Sequence, residues 1–330
     1  MIAVARKLFE EETSMTPPNP IILHHFDPSP FSEKIRIAFG YKKIAWRSVQ
    51  IPRILPRPNL MPMTGGYRRT PTMQIGADIY CDSQMILREL ERRFPNPTLL
   101  PGGNAGMPWA LGMWTDRTFF MNNVKLTLGA RGDAIPPEFL ADRERLFDAK
   151  LDIAAMRSAI PQMRDQFRAH ISWIEAQLDD GRPCLLGEDL SLADIHAYMI
   201  VWHVRTGLTD AAAEVAGLDP IFRSAPRTLT WERRMEAIGH GVRAEMSEEA
   251  TLDIAMAAAP QTSIEADAND PNGRKPGDHV AIVPDDYGKV EVRGTIVSLS
   301  AQHIAIARRD DRVGETVVHF PRAGFAVIPV

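Results

Sequence analysis

Residues 21–40 read IILHHFDPSPFSEKIRIAFG, and this stretch decides the fold of the N-terminal part of the chain. Its first six residues form a short, largely apolar run that ends at a turn, which predicts a buried β-strand. Pro28 and Pro30 interrupt that strand. Apolar residues then recur at helical spacing as far as Gly40, which ends the predicted helix.

A second strand is predicted over 45–51, and the helix between the two strands indicates a right-handed β-α-β unit with parallel strands. Residues 52–69 contain four prolines and predict a long irregular loop. The apolar runs 72–75 and 79–81 flank a short turn and predict a hairpin. A helix with a buried apolar stripe begins after Asp82. These elements together predict one small α/β layer.

The remaining chain changes character twice. From residue 98 to residue 259 only helical periods occur, which predicts an all-helical domain. Within it, Ser191 and Asp194 precede an apolar run at the spacing of a capping box. Residues 260–275 are polar and aperiodic, which indicates a linker. Residues 276–330 show a period of two and predict a small five-stranded β-barrel-like domain.

The predicted domain bounds are therefore an N-terminal extension over 1–20, an α/β domain over 21–97, a helical domain over 98–259, a linker over 260–275 and a β domain over 276–330. The five strands of the last segment are predicted over 279–283, 290–299, 303–307, 315–320 and 325–330. Residues 1–20 contain a Pro-rich end and are interpreted as a loosely held lead-in.

Composition excludes several classes of function. The chain has 330 residues, which favours two or three domains, and it is 45% hydrophobic and 24% charged, as globular proteins are. A net charge of −4 argues against a nucleic-acid binder or a polybasic membrane surface. No apolar run has the length of a membrane span. Cys81 and Cys184 are too few for a disulfide framework or a Cys-rich zinc site, so we expect a cytoplasmic location and no metal.

Ser29 is the first candidate functional residue, because it stands where strand one meets helix one. A serine before a proline is a common helix cap, and capping alone is one interpretation. A helix N-terminus also carries unpaired N–H groups and partial positive charge, which together stabilise an anion. The second interpretation is that the Ser29 hydroxyl donates one further hydrogen bond to such an anion.

Two further pairs of residues allow the same choice between structure and function. Thr70-Pro71 is either a plain entry into a strand or a cis-proline site, in which the Thr70 backbone pairs with an extended peptide-like ligand. Asp82-Ser83 is either an ordinary helix cap or a small group of helix-start donors and acceptors that binds the carboxylate and amine of a ligand. Each pair is a weak indication alone, but their order along the chain is specific.

That order resembles the soluble glutathione S-transferase superfamily. The resemblance covers roughly residues 21–240 and rests on the strand, Ser-Pro-Phe-Ser, helix sequence, on Thr70-Pro71, on Asp82-Ser83 and on the capping box at Ser191. It implies a thioredoxin-like N-terminal domain, a helical C-terminal domain and, as is usual in this superfamily, a homodimer. The common members of the superfamily have no counterpart of residues 260–330, so the resemblance implies nothing about that segment.

The resemblance also implies a function and assigns roles by position. It implies conjugation of the co-substrate glutathione to a small-molecule electrophile, as in detoxification, with Ser29 as the catalytic group. Thr70 and Pro71 would bind the cysteinyl part of glutathione, and Asp82 and Ser83 its γ-glutamyl end. Phe31 and Trp114 are interpreted as walls of the electrophile pocket, or else as core at the domain interface.

Some departures and alternatives remain at this stage. Ser29 and Ser32 stand where a thioredoxin-type motif has its two cysteines, which argues against thiol–disulfide exchange. The pair Arg68-Arg69 is interpreted as solvated, although it could meet a carboxylate of glutathione. The alternative function is a non-catalytic glutathione- or partner-binding protein, in which the C-terminal β region is an interaction module.

Overall fold

The computed structural model describes residues 19–330. The lead-in predicted over 1–20 therefore lies, up to residue 18, outside the described residues. The N-terminal unit contains the elements that the sequence predicts, plus one short helix in the Pro-rich loop. They are β1 (Ile21–His25), α1 (Pro30–Tyr41), β2 (Ala45–Gln50), α2 (Met61–Thr64), β3 (Thr72–Ile75), β4 (Asp78–Tyr80) and α3 (Ser83–Arg93).

A helical region follows the N-terminal unit. Its helices are α4 (Met107–Met113), α5 (Phe120–Arg131), α6 (Pro137–Phe147), α7 (Ile153–Ser158), α8 (Ile160–Gln177), α9 (Leu192–Thr206), α10 (Asp210–Ala216), α11 (Asp219–Arg223), α12 (Pro226–Glu236) and α13 (Glu248–Ala257). A wider π-helical segment, Trp114–Phe119, joins α4 to α5. The capping box predicted at the start of α9 is confirmed, with both of its hydrogen bonds present.

The prediction that residues 98–259 are entirely helical is wrong at one place. Residues Val242–Glu245 form a short strand, β5, which pairs in parallel with β2 at the edge of the N-terminal sheet. The backbone N–H of Val242 donates to the carbonyl of Ile44, and the N–H of Met246 donates to that of Ser48. The segment 242–245 has no internal pattern that predicts a strand. It forms one because the edge of β2 offers unpaired backbone N–H and C=O groups.

The fold class is confirmed as an α/β unit, a helical region and a C-terminal β region, but the predicted small barrel does not form a closed unit of its own, because its strands lie at one end of an open sheet. The C-terminal region contains the five predicted strands. They are β6 (His279–Pro284), β7 (Val292–Leu299), β8 (His303–Asp310), β9 (Gly314–Pro321) and β10 (Phe325–Pro329). These strands continue the N-terminal sheet, because β9 pairs in parallel with β4. The resulting order of ten strands is β10-β6-β7-β8-β9-β4-β3-β1-β2-β5.

Residues 260–275 contain no helix or named strand, as predicted for a linker, but they are tied to the sheet. The backbone N–H of Gln261 donates to the Asp78 carboxylate at 2.7 Å, and the Thr262 hydroxyl bonds the same carboxylate. Glu265 forms an isolated bridge with Ser298. This segment therefore holds the C-terminal strands against β4 and does not separate two independent bodies.

Two hydrophobic clusters lie on opposite sides of the N-terminal sheet. The first joins the sheet and α1 to the helical region, with Phe39, Leu87 and Phe167 among its fully buried members. The second joins the other face of the sheet to the C-terminal strands, and it includes Tyr67 and Phe320. Each face of the sheet is thus covered by a different part of the chain. None of the helices in the described range is both long enough and apolar enough to cross a lipid bilayer.

Candidate functional site

Ser29 is the N-cap of α1 and is almost fully buried. Its Oγ accepts a hydrogen bond from the backbone N–H of Ser32 at 3.2 Å, and Pro30 occupies the first helical position. The hydroxyl hydrogen of Ser29 has no acceptor among the residues that the structure describes. The cap interpretation and the ligand interpretation are therefore compatible, because the oxygen serves the helix while the O–H remains free to donate.

Thr70 lies between the Pro-rich loop and β3, and its peptide bond to Pro71 is cis. The guanidinium of Arg57 donates to the Thr70 hydroxyl at 3.0 Å and to the Arg68 carbonyl at 2.7 Å. Arg57 itself is buried and also donates to the carbonyl of Pro52. One arginine thus cross-links the two ends of the loop and fixes the position of Thr70.

Asp82 is the N-cap of α3, and its carboxylate accepts a hydrogen bond from the backbone N–H of Gln84 at 2.9 Å. Burial raises the pKa of Asp82, and the guanidinium of Arg69 acts in the opposite direction. Ser83, the first residue of the helix, is buried. The pair therefore places a carboxylate and helix-start donors side by side.

These residues line two adjoining cavities. The large cavity has a volume of about 170 Å³, and Ser29 and Thr70 are part of its wall. The small cavity has a volume of about 50 Å³, and Pro71, Asp82 and Ser83 are part of its wall. Four residues belong to both walls: Phe31, Arg69, Thr70 and Tyr287. The structure thus brings together Ser29, Thr70, Pro71, Asp82 and Ser83, with Thr70 at the boundary of the two cavities.

The turn between β6 and β7, residues 285–288, lies at that boundary and comes from the C-terminal region. Arg69 bonds the Asp286 carboxylate and the Tyr287 carbonyl, and its guanidinium lies 4.0 Å from the centre of the Tyr287 ring. Asp285 pairs with Arg117 of the π-helical segment. The backbone N–H of Gly288 donates to the Leu146 carbonyl at the end of α6. The turn therefore forms part of the wall of the small cavity.

The two aromatic residues predicted for the electrophile pocket have different positions. Phe31 lines both cavities and packs edge-on against Phe120, with ring centres 4.7 Å apart. Trp114 lines neither cavity, and its indole N–H donates to Nδ1 of His170 on α8 at 3.2 Å. Trp114 is thus a packing residue. Phe120 lies in the pocket wall that the sequence assigned to Trp114. The π-helical segment changes the helical phase between the two positions.

The interpretation of Arg68 and Arg69 as solvated side chains is wrong. Their side chains are 9% and 11% exposed, and each is paired with a carboxylate. Arg68 pairs with Asp142 of α6 at 2.9 Å, and Arg69 pairs with Asp286. Both partners are distant in sequence, so the pattern around residues 68–69 could not indicate them.

Comparisons with known proteins agree with this geometry. Residues 23–98 match the family model described as glutathione S-transferase, N-terminal domain, and residues 157–242 match that of the C-terminal domain. A GST-like protein from Pseudomonas syringae is 34% identical over 94% of this chain and 99% of its own, with a TM-score of 0.75. This chain belongs to the glutathione S-transferase superfamily. The family that the sequence resembles is therefore confirmed.

Other solved glutathione transferases share the fold at much lower identity. The Tau class enzyme from mango is 17% identical, covering 73% of this chain and 99% of its own, with a TM-score of 0.50. A mutant of poplar glutathione transferase F1 is 13% identical, covering 72% of this chain and 99% of its own, also with a TM-score of 0.50. A search of curated proteins finds no match.

The C-terminal strands, which the common members of the superfamily lack, have a counterpart in the Pseudomonas syringae protein. The match to the Pseudomonas syringae protein leaves only 6% of this chain uncovered, which is much shorter than the segment 260–330. Most of that segment is therefore matched. Because the segment contributes Asp286 and Tyr287 to the walls of the cavities, its presence alters the site and not only the periphery of this glutathione S-transferase.

Sequence analysis gave no role to four arginines of the site and interpreted two others, Arg68 and Arg69, as solvated. All six belong to the wall of the large cavity, and its described wall contains no aspartate or glutamate. They are Arg53, Arg57, Arg68, Arg69, Arg131 and Arg143. One sequence feature could have indicated part of this set, because the loop 52–69 contains four arginines and no acidic residue. The other two lie on α5 and α6 and have no local pattern that marks them.

Several histidines of this superfamily member are buried near the site. His24 and His25 end β1; His24 bonds the Gln74 side chain at 3.0 Å and His25 bonds the Ser48 hydroxyl at 3.0 Å. Burial lowers the pKa of His24 to about 4, and burial together with Arg36 lowers that of His25 to about 3. Within residues 19–330, no group of three or more His, Cys, Asp or Glu side chains could hold a metal ion.

These histidines predict that the protein loses stability as the pH falls from about 6.5 towards 4. Burial, aided by Arg131, also lowers the pKa of His203 to about 4. Each of the three is neutral in the folded protein, whereas the unfolded chain takes up a proton below about 6.5. Each should therefore cost about 1.4 kcal/mol per pH unit in that window and nothing above it. Urea unfolding at pH 7.5, 6.0 and 5.0 measures this slope.

The variant His203→Phe provides the matched comparison for that prediction. The His203 ring makes no side-chain hydrogen bond within the described residues, so phenylalanine removes the titrating group without breaking a polar contact. Its slope of stability against pH should be shallower by about 1.4 kcal/mol per pH unit. A slope equal to that of the wild type would show that His203 is not buried in its neutral form.

Proposed function

We propose that this protein is a glutathione transferase that conjugates the glutathione thiolate to a small electrophile. The observation that carries the proposal is that Ser29 and the Asp82-Ser83 pair line adjoining cavities that share Thr70. A single tripeptide can extend for about 10 Å. Its γ-glutamyl end would lie at Asp82 and Ser83, its cysteinyl backbone at Thr70 and its sulfur at Ser29.

The chemistry at Ser29 would be stabilisation of a thiolate. The helix N-terminus contributes partial positive charge, and the free O–H of Ser29 donates a charge-assisted hydrogen bond to the sulfur. When the thiol ionises, its proton passes to solvent. The sulfur then forms a bond to the electrophilic carbon, and the leaving group departs with the electron pair of the bond that breaks.

Ser29 can supply only a small part of the rate acceleration. A thiol with a pKa of about 8.5 is only about 3% ionised at pH 7. Lowering that pKa by about two units needs roughly 2.7 kcal/mol and raises the thiolate fraction to about 75%. The accompanying loss of nucleophilicity is about 6- to 10-fold. Since the net gain is only a few-fold, most of the acceleration must come from holding the electrophile against the sulfur.

We predict that Ser29→Ala raises the apparent pKa of the conjugation reaction by about one to two units. The reason is that one hydrogen bond to a charged group contributes about 1.5–3 kcal/mol, and 1.4 kcal/mol corresponds to one pKa unit. At pH 6.5 the rate should fall a few-fold. The measurement is a pH–rate profile of conjugation with a panel of electrophiles at saturating glutathione.

The matched control for this prediction is Ser247→Ala. Ser247 is also a serine N-cap, its Oγ accepts from the N–H of Ala250 at 3.3 Å, and it lies outside both cavity walls. It loses a cap but no ligand contact, so its pH–rate profile should match that of the wild type. Identical profiles for Ser29→Ala and the wild type would remove Ser29 from the mechanism.

One observation favours a second candidate, a non-catalytic glutathione-binding protein or partner-binding protein. The turn 285–288 forms part of the wall of the small cavity and is held by Arg69 and Arg117. If that turn remains in place, glutathione has little room beside Asp82 and Ser83. Calorimetry with glutathione separates the candidates: binding with turnover supports the transferase, binding without turnover supports a carrier or sensor, and no binding at millimolar concentration supports a partner-binding role.

A further inference from the structure

The large cavity combines positive charge with aromatic surface. Its six arginines come from the loop 52–69, from α5 and from α6, and no acidic residue lines it. The apolar part of its wall includes five phenylalanine rings and one tyrosine ring. They are Phe26, Phe31, Phe120, Phe139, Phe147 and Tyr287.

Only three of the six arginines have a carboxylate partner. Asp142 pairs with Arg68 at 2.9 Å and with Arg143 at 3.6 Å, and Asp286 pairs with Arg69. Within residues 19–330, Arg53, Arg57 and Arg131 form no ion pair. The cavity wall and these two partners together thus carry four more positive than negative charges.

Aromatic faces hold the guanidinium groups where carboxylates would usually do so. The guanidinium carbons of Arg53, Arg143 and Arg131 lie 5.1, 4.6 and 6.0 Å from the centre of the Phe139 ring. Arg53 and Arg57 also lie about 6 Å from the Phe26 ring, at 5.9 and 6.0 Å. These contacts orient the arginines but do not neutralise them.

Uncompensated like charges repel one another, and a bound anion would relieve that repulsion. Burial and the neighbouring Arg143 lower the pKa of Arg57 to about 10, which reflects this crowding, yet every arginine remains charged at pH 7. His203, on the same wall, has a pKa lowered to about 4 and is neutral. A ligand in the cavity therefore meets fixed positive charge beside aromatic rings.

We propose that the large cavity binds an aromatic carboxylate, with its ring among the phenylalanines and its carboxylate near Arg53 and Arg131. Ser29 lines the same cavity. The second substrate of the proposed conjugation would therefore be an aromatic electrophile that carries a negative charge. This statement about the substrate rests on the proposed function. Arginine is suited to this role because its planar fork bonds both oxygens of a carboxylate.

Glutathione's own carboxylates are the competing occupants of the arginines, and the positions of the side chains argue against the carboxylate of the γ-glutamyl end. Arg53 and Arg131 line the large cavity only, whereas Asp82 and Ser83 line the small cavity. Arg57 lies between, because it bonds Thr70, and it is nearer to the proposed path of the tripeptide. Arg53 and Arg131 are therefore the residues to test.

The test is calorimetric binding of two probes that differ only in charge, 4-chloro-3-nitrobenzoate and 4-chloro-3-nitrobenzamide. The full chain is first saturated with S-methylglutathione, which has no free thiol, so that no conjugation occurs. We expect the benzoate to bind at least tenfold more tightly than the benzamide at low salt, since a hydrogen bond to a charged group contributes about 1.5–3 kcal/mol. Added salt should reduce the difference.

Variants locate the charge that is responsible. Arg53→Gln and Arg131→Gln should each weaken benzoate binding at least threefold and leave benzamide binding unchanged, while Arg53→Lys and Arg131→Lys should retain most of the preference. The control is Arg293→Gln, an exposed arginine of β7 that pairs with Glu291 and lies outside both cavity walls, and it should change neither affinity. Because Arg53 and Arg131 have no carboxylate partner, their removal leaves no unpaired acid, and thermal unfolding should confirm intact folding.

Equal affinity for the two probes would overturn the inference. Much tighter benzoate binding in a titration without S-methylglutathione would also overturn it, because such competition would assign the arginines to the tripeptide. A second measurement, conjugation of the benzoate by glutathione with release of chloride, tests the proposed function separately. Charge preference without conjugation would support the anion site and overturn the transferase. Conjugation without charge preference would do the reverse.

Discussion

Replacing Asp194 with alanine is expected to destabilise the protein by about 4 kcal/mol or more, the largest effect of a single substitution outside the cavities. The Asp194 carboxylate is fully buried and accepts four hydrogen bonds. Oδ1 accepts from the Leu185 N–H at 2.7 Å and from the Trp231 indole at 2.9 Å; Oδ2 accepts from the N–H and the hydroxyl of Ser191 at 3.0 and 2.8 Å. Alanine leaves these buried donors unpaired, at about 1–3 kcal/mol each.

The variant Asp194→Asn should lose only part of the stability that Asp194→Ala loses. An asparagine oxygen can keep the bonds to Leu185 and Trp231, while its NH₂ group faces the Ser191 N–H, where an acceptor is needed. Its stability should therefore lie between those of the wild type and Asp194→Ala. Urea unfolding monitored by tryptophan fluorescence measures the order of the three proteins.

Thr209→Ala is the control for Asp194, because Thr209 is the N-cap of α10 and its hydroxyl accepts only from the N–H of Ala212 at 3.4 Å. Loss of a single exposed cap should cost about 1 kcal/mol. If Asp194→Ala were no less stable than Thr209→Ala, the buried network would contribute nothing beyond an ordinary cap.

Replacing Phe320 with alanine is expected to destabilise the whole chain by about 3–5 kcal/mol, the range for a buried phenylalanine. Phe320 of β9 is fully buried, and its ring centre lies 5.8 Å from that of Tyr67 in the N-terminal unit and 5.6 Å from that of Phe325. Since β9 also pairs with β4, the C-terminal strands and the N-terminal sheet should unfold together. The expected result is one calorimetric transition, shifted to lower temperature as a unit.

Ile328→Ala is the matched control for that experiment. Ile328 lies on β10 at the other edge of the same strands, and its side chain is 43% exposed, so the loss should remain below about 1 kcal/mol. Two separate transitions in Phe320→Ala, one of them unchanged from the wild type, would contradict a shared core and restore an independent C-terminal module.

Much of the N-terminal fold was predictable because its determinants are local. The break at Pro28 and Pro30, the helical spacing up to Gly40 and the hairpin after residue 71 depend on contacts within a few residues, and the strands and helices form there. The capping box at Ser191 and Asp194 is of the same kind. Its further bonds to Leu185 and Trp231 were not predictable, because α12 and the turn before α9 approach Asp194 only in the folded protein.

The candidate site, too, was predictable only in part. Ser29, Thr70 and Asp82 were identified from their places at the ends of strands and helices, and they do line adjoining cavities. Trp114 was assigned to a pocket wall by its place in an aromatic helix, but the π-helical segment turns it towards His170. The Tyr287 ring could not have been assigned to the site, since no pattern near residue 287 points to a cavity whose other walls come from the N-terminal unit and the helical region.

The amino-acid sequence by itself determined the order of the elements, the family and the residues at the strand–helix junctions. Periodicity, caps and turns depend on residues a few positions apart, so they can be recognised without knowing how the rest of the chain folds. Tertiary structure decided that β9 extends the N-terminal sheet, that the turn 285–288 lines the small cavity and that arginines from three segments line the large one. Each of these arises from contacts between distant segments, whose formation depends on which exposed edges and charges remain to be paired once the local elements have formed.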